Sequence, residues 1–387
     1  MDATRSAGLN PHALTRLTSA FADLIEARRI AGAVLWIERR GAASVECLGQ
    51  QDAARELPMR TDSIFRIFSM TKPIVSVAVM MAVERGKLSL RDPVAKFLPE
   101  FANVQVGIER DGVIDCVAPK RAMTVHDLLR HTSGLTYEFL EPSAVRRRYL
   151  SANLYSRKRD NAEHCALLAT LPLMHEPGTV WDYSRATDVL GRIVEVVSGL
   201  PLGEALHRDI FAPLGMVDTG FTVPVADHPR LAEALSVDPD TGTTVRLFDA
   251  RTPAASESGG GGLFSTAADY ARFLRLLLNG GTLGGVRLIG RKTLEHMTAD
   301  HLGALPRSGT LLPAGSGFGL GFAVKTHVGC GTEPGSVGSY SWSGAAGTSF
   351  FVDPHEALFA IVLIQAPSQL DAVRERFRHL VYAAIDD

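Results

Sequence analysis

The chain has 387 residues, of which 46% are apolar and 21% charged, a composition typical of a globular protein with two or three structural units. Its 40 basic and 42 acidic side chains give a formal net charge of −2. The chain therefore lacks the strongly positive field that would attract nucleic acid or an anionic membrane surface. Four cysteines lie far apart without a Cys-x-x-Cys pair, so we expect free thiols rather than a zinc site or disulfides: Cys47, Cys116, Cys165 and Cys330.

The two ends of the chain carry similar patterns. A helix is predicted from Pro11 to Arg29, because its apolar residues recur every three or four positions. Two strands that form a hairpin are predicted from Ala33 to Glu38 and from Ser44 to Leu48. Near the C-terminus, two more strands are predicted from Thr348 to Val352 and from Leu358 to Ile364, followed by a helix from Gln369 to Ile385. We expect these strands to share one antiparallel sheet with both terminal helices on a face, which is an α+β arrangement.

The middle of the chain is predicted to be mainly helical. The helices expected there are Thr124 to Arg130, Ala162 to Leu171, Ala186 to Ser198, Leu202 to Asp209 and Ala267 to Asn279. Long loops are expected from Pro224 to Gly262. The predicted organisation is therefore an α/β sheet domain formed by residues 1–90 and 285–387, a helical domain formed by residues 91–284, and an active site in the cleft between them.

The N-terminus lacks the apolar stretch of a secretion signal. The longest mostly apolar run, Ile74 to Val83, is far shorter than the roughly 20 residues that cross a bilayer. We therefore expect a cytoplasmic protein without a membrane partner.

Ser69-Met70-Thr71-Lys72 is the first motif with chemical meaning. It is followed by Pro73 and an apolar run that ends at Gly86, so Ser69 is expected at the N-terminus of a buried helix. Residues three apart share a helix face, which lets the Lys72 amine reach the Ser69 hydroxyl. The pair is a candidate activated nucleophile. The alternative is a capped helix with a surface lysine.

Two further segments suggest a site. Tyr183 lies in a loop just before a predicted helix and can project into a cleft, although a half-buried structural tyrosine is the alternative. In Trp342-Ser343-Gly344-Ala345-Ala346-Gly347, small residues allow backbone N–H groups to approach a ligand, as an oxyanion hole requires; the alternative is a glycine-rich edge strand or turn. Common esterase, phosphate, dinucleotide and zinc-peptidase motifs are absent from the sequence.

In this order, the three motifs resemble those of the penicillin-recognising serine hydrolases, in particular class C β-lactamases and family VIII carboxylesterases. The resemblance covers about residues 12–380 and implies the β-lactamase/DD-peptidase-like fold. Other similar segments are His131-Thr132-Ser133-Gly134-Leu135, Pro177-Gly178, Gly261 to Thr266 with Asp269-Tyr270, and Phe318-Gly319-Leu320-Gly321-Phe322.

The resemblance also implies the roles of individual residues. Ser69 matches the acylated nucleophile, Lys72 the adjoining cation, and Tyr183 the general base that later acts as acid. A free phenol has a pKa of about 10, so we expect the charge of Lys72 to lower the pKa of Tyr183 to about 7. The backbone N–H groups of Ser69 and Ala345 would form the oxyanion hole.

Two positions differ from class C β-lactamases. Arg185 replaces the Asn of Tyr-x-Asn, and Trp342 replaces the Lys of Lys-Thr-Gly. The second change removes a cation suited to a substrate carboxylate and agrees with the Trp-x-Gly of family VIII carboxylesterases. Trp342, Ser343 and Gly344 are expected to line the substrate site. Arg185 is either an anion-binding residue or, as we expect, a salt-bridged residue at a helix start.

Other conspicuous residues receive structural interpretations. The basic stretches Arg146-Arg147-Arg148 and Arg157-Lys158-Arg159 are predicted to form a solvated face over the cleft, with a role in substrate access as the alternative. His131 is predicted to be structural.

The sequence thus predicts a serine carboxylesterase for short- to medium-chain acyl esters, with a small-molecule ester as its partner and no cofactor or metal. The alternatives are a β-lactamase or D-amino-acid peptidase, an acyltransferase, and a non-catalytic relative.

Overall fold

A computed structural model describes Arg5 and residues 7–387. Its centre is an eight-stranded antiparallel sheet in the order β10-β11-β12-β13-β14-β1-β2-β3, and three two-stranded sheets pair β4 with β7, β5 with β6, and β8 with β9. The strands are β1 (Gly32–Arg39), β2 (Ala42–Asp52), β3 (Leu57–Pro58), β4 (Phe65–Arg66), β5 (Val106–Arg110), β6 (Val113–Val117), β7 (Phe264–Ser265), β8 (Thr282–Leu283), β9 (Val286–Arg287), β10 (Ser316–Phe318), β11 (Ala323–Lys325), β12 (Tyr340–Ser343), β13 (Ser349–Asp353) and β14 (Leu358–Leu363).

Helices cover both faces of this sheet. They are α1 (Pro11–Glu26), α2 (Thr71–Glu84), α3 (Val125–Leu129), α4 (Ala144–Ser151), α5 (Asn161–Ala169), α6 (Ala186–Ser198), α7 (Leu202–Leu206), α8 (Ala212–Leu214), α9 (Ala267–Leu278), α10 (Arg291–Met297) and α11 (Leu370–Tyr382). In the described part of the chain, no helix is both long enough and apolar enough to span a membrane.

The two ends of the chain meet in the sheet, as the sequence predicts. β1 pairs antiparallel with β14, so that Val34 lies opposite Leu363. The terminal helices α1 and α11 cover one face, where Phe21 packs edge-on against Phe377 with ring centroids 6.1 Å apart. The α+β prediction is therefore confirmed, and its physical basis is the apolar stripe of each terminal helix.

The other face of the sheet is covered by the larger core, in which α2 lies at the centre. Its residues from Thr71 to Val77 are all buried, because this helix is apolar on every side and contacts its neighbours all round. α2 packs closely against α6, and α9 lies against β14. Burial of α2 fixes the position of the residues at its N-terminus.

The shortest elements of the fold show no clear pattern in the sequence. The hairpin of β5 and β6, helix α10 and the short strands β10 and β11 were not expected, because they are too short to show a clear hydrophobic period. The predicted helix from Leu202 to Asp209 ends at Leu206 and continues as a π-helical turn, His207–Phe211. The predicted helix from Thr124 begins with a capping box formed by Thr124 and Asp127.

The prediction that Arg146, Arg147 and Arg148 form a solvated face is wrong in part. Arg147 and Arg148 on α4 are exposed, but Arg146 is buried and bonds both carboxylate oxygens of the buried Asp182 at 3.1 Å. Arg146 also donates to the hydroxyl of Thr136 at 3.0 Å. This side chain is thus an internal link between α4 and the loop that precedes Tyr183, since α4 turns one of its three arginines toward the core.

Candidate active site

The candidate nucleophile lies on a single 3₁₀ turn, Phe68–Met70, which leads directly into α2. Phe68 has φ of +45°, a left-handed conformation that is uncommon for a bulky residue and stores local strain. Ser69 is half-buried and lies in the lining of a deep cleft. The strained turn and the buried helix together present the Ser69 hydroxyl to this cleft.

Lys72 lies one turn further along α2, with only 1% of its surface exposed. Its amine donates to Ser69 Oγ at 3.1 Å, to the Tyr137 hydroxyl at 3.0 Å and to the Gly260 carbonyl at 2.6 Å. Burial lowers the pKa of Lys72 from 10.5 to about 7, against the opposing effect of the negative charge on Asp188. At neutral pH a large fraction of this amine is therefore unprotonated. In that form its two N–H groups can serve Tyr137 and Gly260, and its lone pair can accept the proton of Ser69.

Tyr183 approaches the same hydroxyl from the loop before α6. Its phenol donates to Ser69 Oγ at 2.7 Å and accepts from the indole N–H of Trp342 at 3.3 Å. Burial raises the pKa of Tyr183 above its usual 10. The expected lowering of this pKa is therefore wrong, because desolvation of the buried phenol outweighs the hydrogen bonds with Ser69 and Trp342 that lower the pKa.

The third motif runs from β12 toward the nucleophile turn. A Cβ atom on Gly344 would lie only 2.3 Å from the carbonyl oxygen of Ile67, so only glycine permits this approach of the two backbones. The Thr348 hydroxyl closes the same junction with a 3.2 Å hydrogen bond to Ile67. Ala345 follows at the cleft surface, and in the described residues no acceptor is bonded to its N–H.

The remaining predicted site residues lie in the lining of the cleft, and Arg185 among them is engaged in an ion pair. The indole of Trp342 lies beside the Tyr183 ring at 5.2 Å between centroids and forms part of the cleft lining. Ser343 also lines the cleft, and its hydroxyl is hydrogen-bonded to Ser349 on the neighbouring strand at 2.9 Å. Arg185 is buried and paired with Glu138 through two nitrogens, in agreement with the salt-bridge interpretation.

His131 is buried behind the site. Its ring packs against that of Tyr183 with centroids 4.9 Å apart, and Nδ1 lies 3.0 Å from the Ser184 hydroxyl. Burial lowers the pKa of His131 well below its usual value, so the ring is neutral. These contacts hold the loop that carries Tyr183 and give His131 no bond to Ser69.

Three residues of the site were not identified from the sequence. Tyr137 and Gly260 bond the amine of Lys72, and Asp188 is a fully buried acid one helical turn after Arg185. Gly260 lies in the run of four glycines, which was a visible signal of close backbone approach. Tyr137 and Asp188 carried no local signal, because nothing in their immediate sequence shows that they face Lys72.

The cleft has a volume of about 860 Å³ and is lined by residues from both the sheet and the helical segments. Aromatic side chains form much of its wall: Phe68, Tyr137, Phe139, Tyr155, Phe221, Phe248 and Trp342. Arg157, from the second basic stretch, is half-buried in this lining and lies over the Phe248 ring at 4.9 Å. Within the described chain, no three His, Cys, Asp or Glu side chains are grouped to hold a metal ion.

Comparison with known proteins identifies the family. The Beta-lactamase family model matches residues 17–384. Protein Rv1367c of Mycobacterium tuberculosis is 37% identical over 354 residues, which cover 89% of this chain and 88% of that protein. Esterase EstB of Burkholderia gladioli is 35% identical over 371 residues, which cover 90% of this chain and 89% of the esterase.

A solved structure gives the same result. EstCE1, described as a hydrolase with promiscuous acyltransferase activity, superposes with a TM-score of 0.81 and 28% identity, covering 96% of this chain and 98% of its own. The chain therefore belongs to the Beta-lactamase family and is a serine hydrolase similar to the family VIII esterases.

Proposed function

We propose that this enzyme is a carboxylesterase that hydrolyses uncharged acyl esters through an acyl-enzyme on Ser69. The observation that carries the proposal is the convergence of two proton-transfer groups on one hydroxyl. Ser69 Oγ lies 3.1 Å from the Lys72 amine and 2.7 Å from the Tyr183 phenol. Nucleophile and base within hydrogen-bond distance are the arrangement that covalent acyl transfer requires. The esterase relatives support the same reaction class.

In the proposed acylation step, Ser69 Oγ attacks the ester carbonyl carbon while its proton passes to the neutral amine of Lys72. We assign this role to Lys72 because its pKa is about 7, whereas burial keeps the Tyr183 phenol protonated. Tyr183 then gives its proton to the departing alkoxide. The phenolate regains a proton from the Lys72 ammonium by way of water in the cleft, since the two side chains are not hydrogen-bonded to each other. In deacylation the same proton transfers run in reverse. Water attacks the acyl carbon and gives a proton to Tyr183, Ser69 Oγ leaves and regains its proton from Lys72, and the carboxylic acid is released.

The negative oxygen of the tetrahedral intermediate needs two hydrogen-bond donors. We assign the backbone N–H groups of Ser69 and Ala345, since the contact between Gly344 and Ile67 brings their segments together at the cleft. Such donors act in a site where few water molecules compete, and loss of one typically reduces the rate about 10²–10³-fold.

We propose uncharged short- to medium-chain acyl esters as the substrates, and the support concerns their lack of charge. Trp342 places an apolar ring beside Tyr183 where a carboxylate-binding lysine would favour a penicillin-like anion. Arg185 does not replace that lysine, because its charge is already paired with Glu138. A β-lactamase or D-amino-acid peptidase is therefore disfavoured.

Acyl transfer to an alcohol is the second candidate function. The cleft of about 860 Å³ exceeds the space that a short acyl group occupies, so a second hydroxyl compound can reach the acyl-enzyme in place of water. The similar protein EstCE1 is a hydrolase with promiscuous acyltransferase activity, which supports this candidate. Product analysis with and without an added alcohol separates hydrolysis from transfer.

The test compares the wild type with Ser69→Ala. Wild type is expected to hydrolyse p-nitrophenyl butyrate, to leave a cephalosporin and a D-alanyl peptide largely intact, and to gain one diethylphosphoryl group on Ser69 from diethyl p-nitrophenyl phosphate. Ser69→Ala is expected to lose turnover and labelling while its circular dichroism spectrum is unchanged. Normal turnover by this variant, or labelling at another residue, would refute the proposal.

A further inference from the structure

Lys72 is a buried amine without a carboxylate in contact. Its three hydrogen-bond partners are the hydroxyls of Ser69 and Tyr137 and the carbonyl of Gly260, all of them neutral. Among the described residues, no acidic oxygen forms a salt bridge with it. Acceptance of the Ser69 proton would therefore create a positive charge away from water, which is unfavourable unless a negative charge lies nearby.

Asp188 supplies a negative charge in the same wall. It lies in the first turn of α6, and only 6% of its surface is exposed. Its Oδ1 accepts from the Ser258 hydroxyl at 2.6 Å and from the Gly260 N–H at 2.9 Å. Its Oδ2 has no hydrogen-bond partner in the described structure and lies 3.8 Å from Arg185 Nη1, at ion-pair distance. Burial alone would raise the pKa of Asp188, but nearby positive groups and the Ser258 bond hold it below the usual value.

The peptide groups of Gly260 join these two side chains. The Gly260 N–H donates to Asp188, and its carbonyl accepts from Lys72. A Cβ atom at this position would lie 2.8 Å from Asp188 Oδ2, and one on Gly259 would lie 2.5 Å from the Thr187 carbonyl. The glycine run is therefore what allows the loop to lie against α6 and to place a carbonyl over the amine.

We infer that Asp188 is the positioning residue and counter-charge of Lys72, acting through the backbone of Gly260 and through space. The inference rests on the proposed function and names the group that prepares the base for it. The carboxylate favours the ammonium form of Lys72 and so stabilises the state reached after Ser69 gives up its proton. It also fixes the loop that directs the Lys72 amine toward Ser69.

Other ionisable groups around Lys72 bear on the same equilibrium. The positive charge of Arg185 opposes the ammonium form of Lys72. Arg185 is paired closely with Glu138 and more loosely, at 3.8 Å, with Asp188, so the Asp188 carboxylate faces both cations. The neighbouring segments and helices contribute the following further groups: His131, Tyr137, Tyr155, His164 and Tyr183. Among these groups, the negative charge of Asp188 makes the largest contribution that raises the pKa of Lys72.

Asp188→Asn tests the inference, because it keeps an oxygen acceptor for Ser258 and Gly260 and removes the negative charge that faces Lys72 and Arg185. Both effects of the lost charge disfavour the ammonium form of Lys72. With p-nitrophenyl butyrate, the acid limb of kcat/KM against pH is expected to move to lower pH by about one unit. The plateau kcat is expected to fall about tenfold, with KM changed by less than about twofold. An acid limb and a plateau kcat equal to those of the wild type would overturn the inference.

Asp269→Asn is the matched control. Asp269 is also a buried acid with two hydrogen bonds, to Thr219 and Asp218, but it lies on α9 outside the cleft lining. Its substitution is expected to lower the melting temperature without moving the acid limb. A comparable movement of the limb in this variant would overturn the assignment to Asp188.

Gly260→Ala provides a second test if Asp188→Asn does not fold. The added methyl group displaces the carboxylate and the loop while keeping every charge, so kcat is expected to fall with KM nearly unchanged. Wild-type kcat in Gly260→Ala would overturn the inference. The proposed function is tested separately, by ester turnover in the wild type and Ser69→Ala and by the residue that is labelled, and none of these results depends on Asp188.

Discussion

Replacing Lys72 by methionine should abolish ester hydrolysis and at the same time change how stability depends on pH. The substitution removes the amine from a site that is 1% exposed and puts an uncharged side chain of similar length in its place. Folding transfers the lysine from water, where its pKa is 10.5, to a site where its pKa is about 7. On folding at pH 7 the wild type therefore releases part of a proton from Lys72, and this amount rises toward one proton at higher pH, whereas the variant releases none from this position.

The size of the effect follows from these two values. Between the folded and the unfolded pKa, the unfolded chain binds more protons than the folded one, so the free energy of unfolding rises with pH by at most about 1.4 kcal/mol per unit. From about pH 7 to about pH 8.5 Lys72 contributes a rise of about 1.5 kcal/mol, allowing for its partial protonation at the lower limit. Other titrating groups contribute equally to both proteins and cancel in the difference.

Urea unfolding of both proteins, followed by circular dichroism at several pH values, measures this difference directly. The wild type should gain about 1.5 kcal/mol relative to Lys72→Met over that range, and its kcat/KM should show an acid limb near pH 7. The loss of hydrogen bonds to Gly260 and Tyr137 shifts the whole curve but not its slope. Parallel curves would show that Lys72 does not titrate near neutrality and would refute its assignment as the base.

Three further substitutions test separate parts of the structure. Tyr183→Phe should lower kcat about 10²–10⁴-fold with KM little changed, since it removes the proton donor; a change confined to KM would contradict that role. Gly344→Ala should lower kcat about 10²–10³-fold, because its methyl group meets the Ile67 carbonyl and displaces the oxyanion donors; unchanged steady-state kinetics would argue against this geometry. Arg146→Gln should lower the free energy of unfolding by about 3 kcal/mol, because the buried Asp182 loses its cation; denaturant titration checks this, and an unchanged midpoint would refute it.

Much of the site could be predicted because its motifs are local. The spacing of Ser69 and Lys72 is set by one helical turn, and the punctuation by Pro73 and Gly86 shows where that helix begins and ends. The same holds for the terminal strands, whose apolar patterns predicted a shared sheet. The pKa order of Lys72 and Tyr183 was not predictable, because it depends on which atoms each side chain meets after burial.

The amino-acid sequence by itself determined the family, the α+β class, and the candidate nucleophile with its amine and phenol. Only the tertiary structure decided that Arg146 is internal, that Arg185 is neutralised by Glu138, and that Asp188 reaches Lys72 through Gly260. The physical reason is that helix periodicity and turn chemistry act over a few residues, whereas desolvation and charge pairing depend on groups that are distant in sequence. Gly260 and Lys72 are 188 positions apart, and no local pattern records their contact.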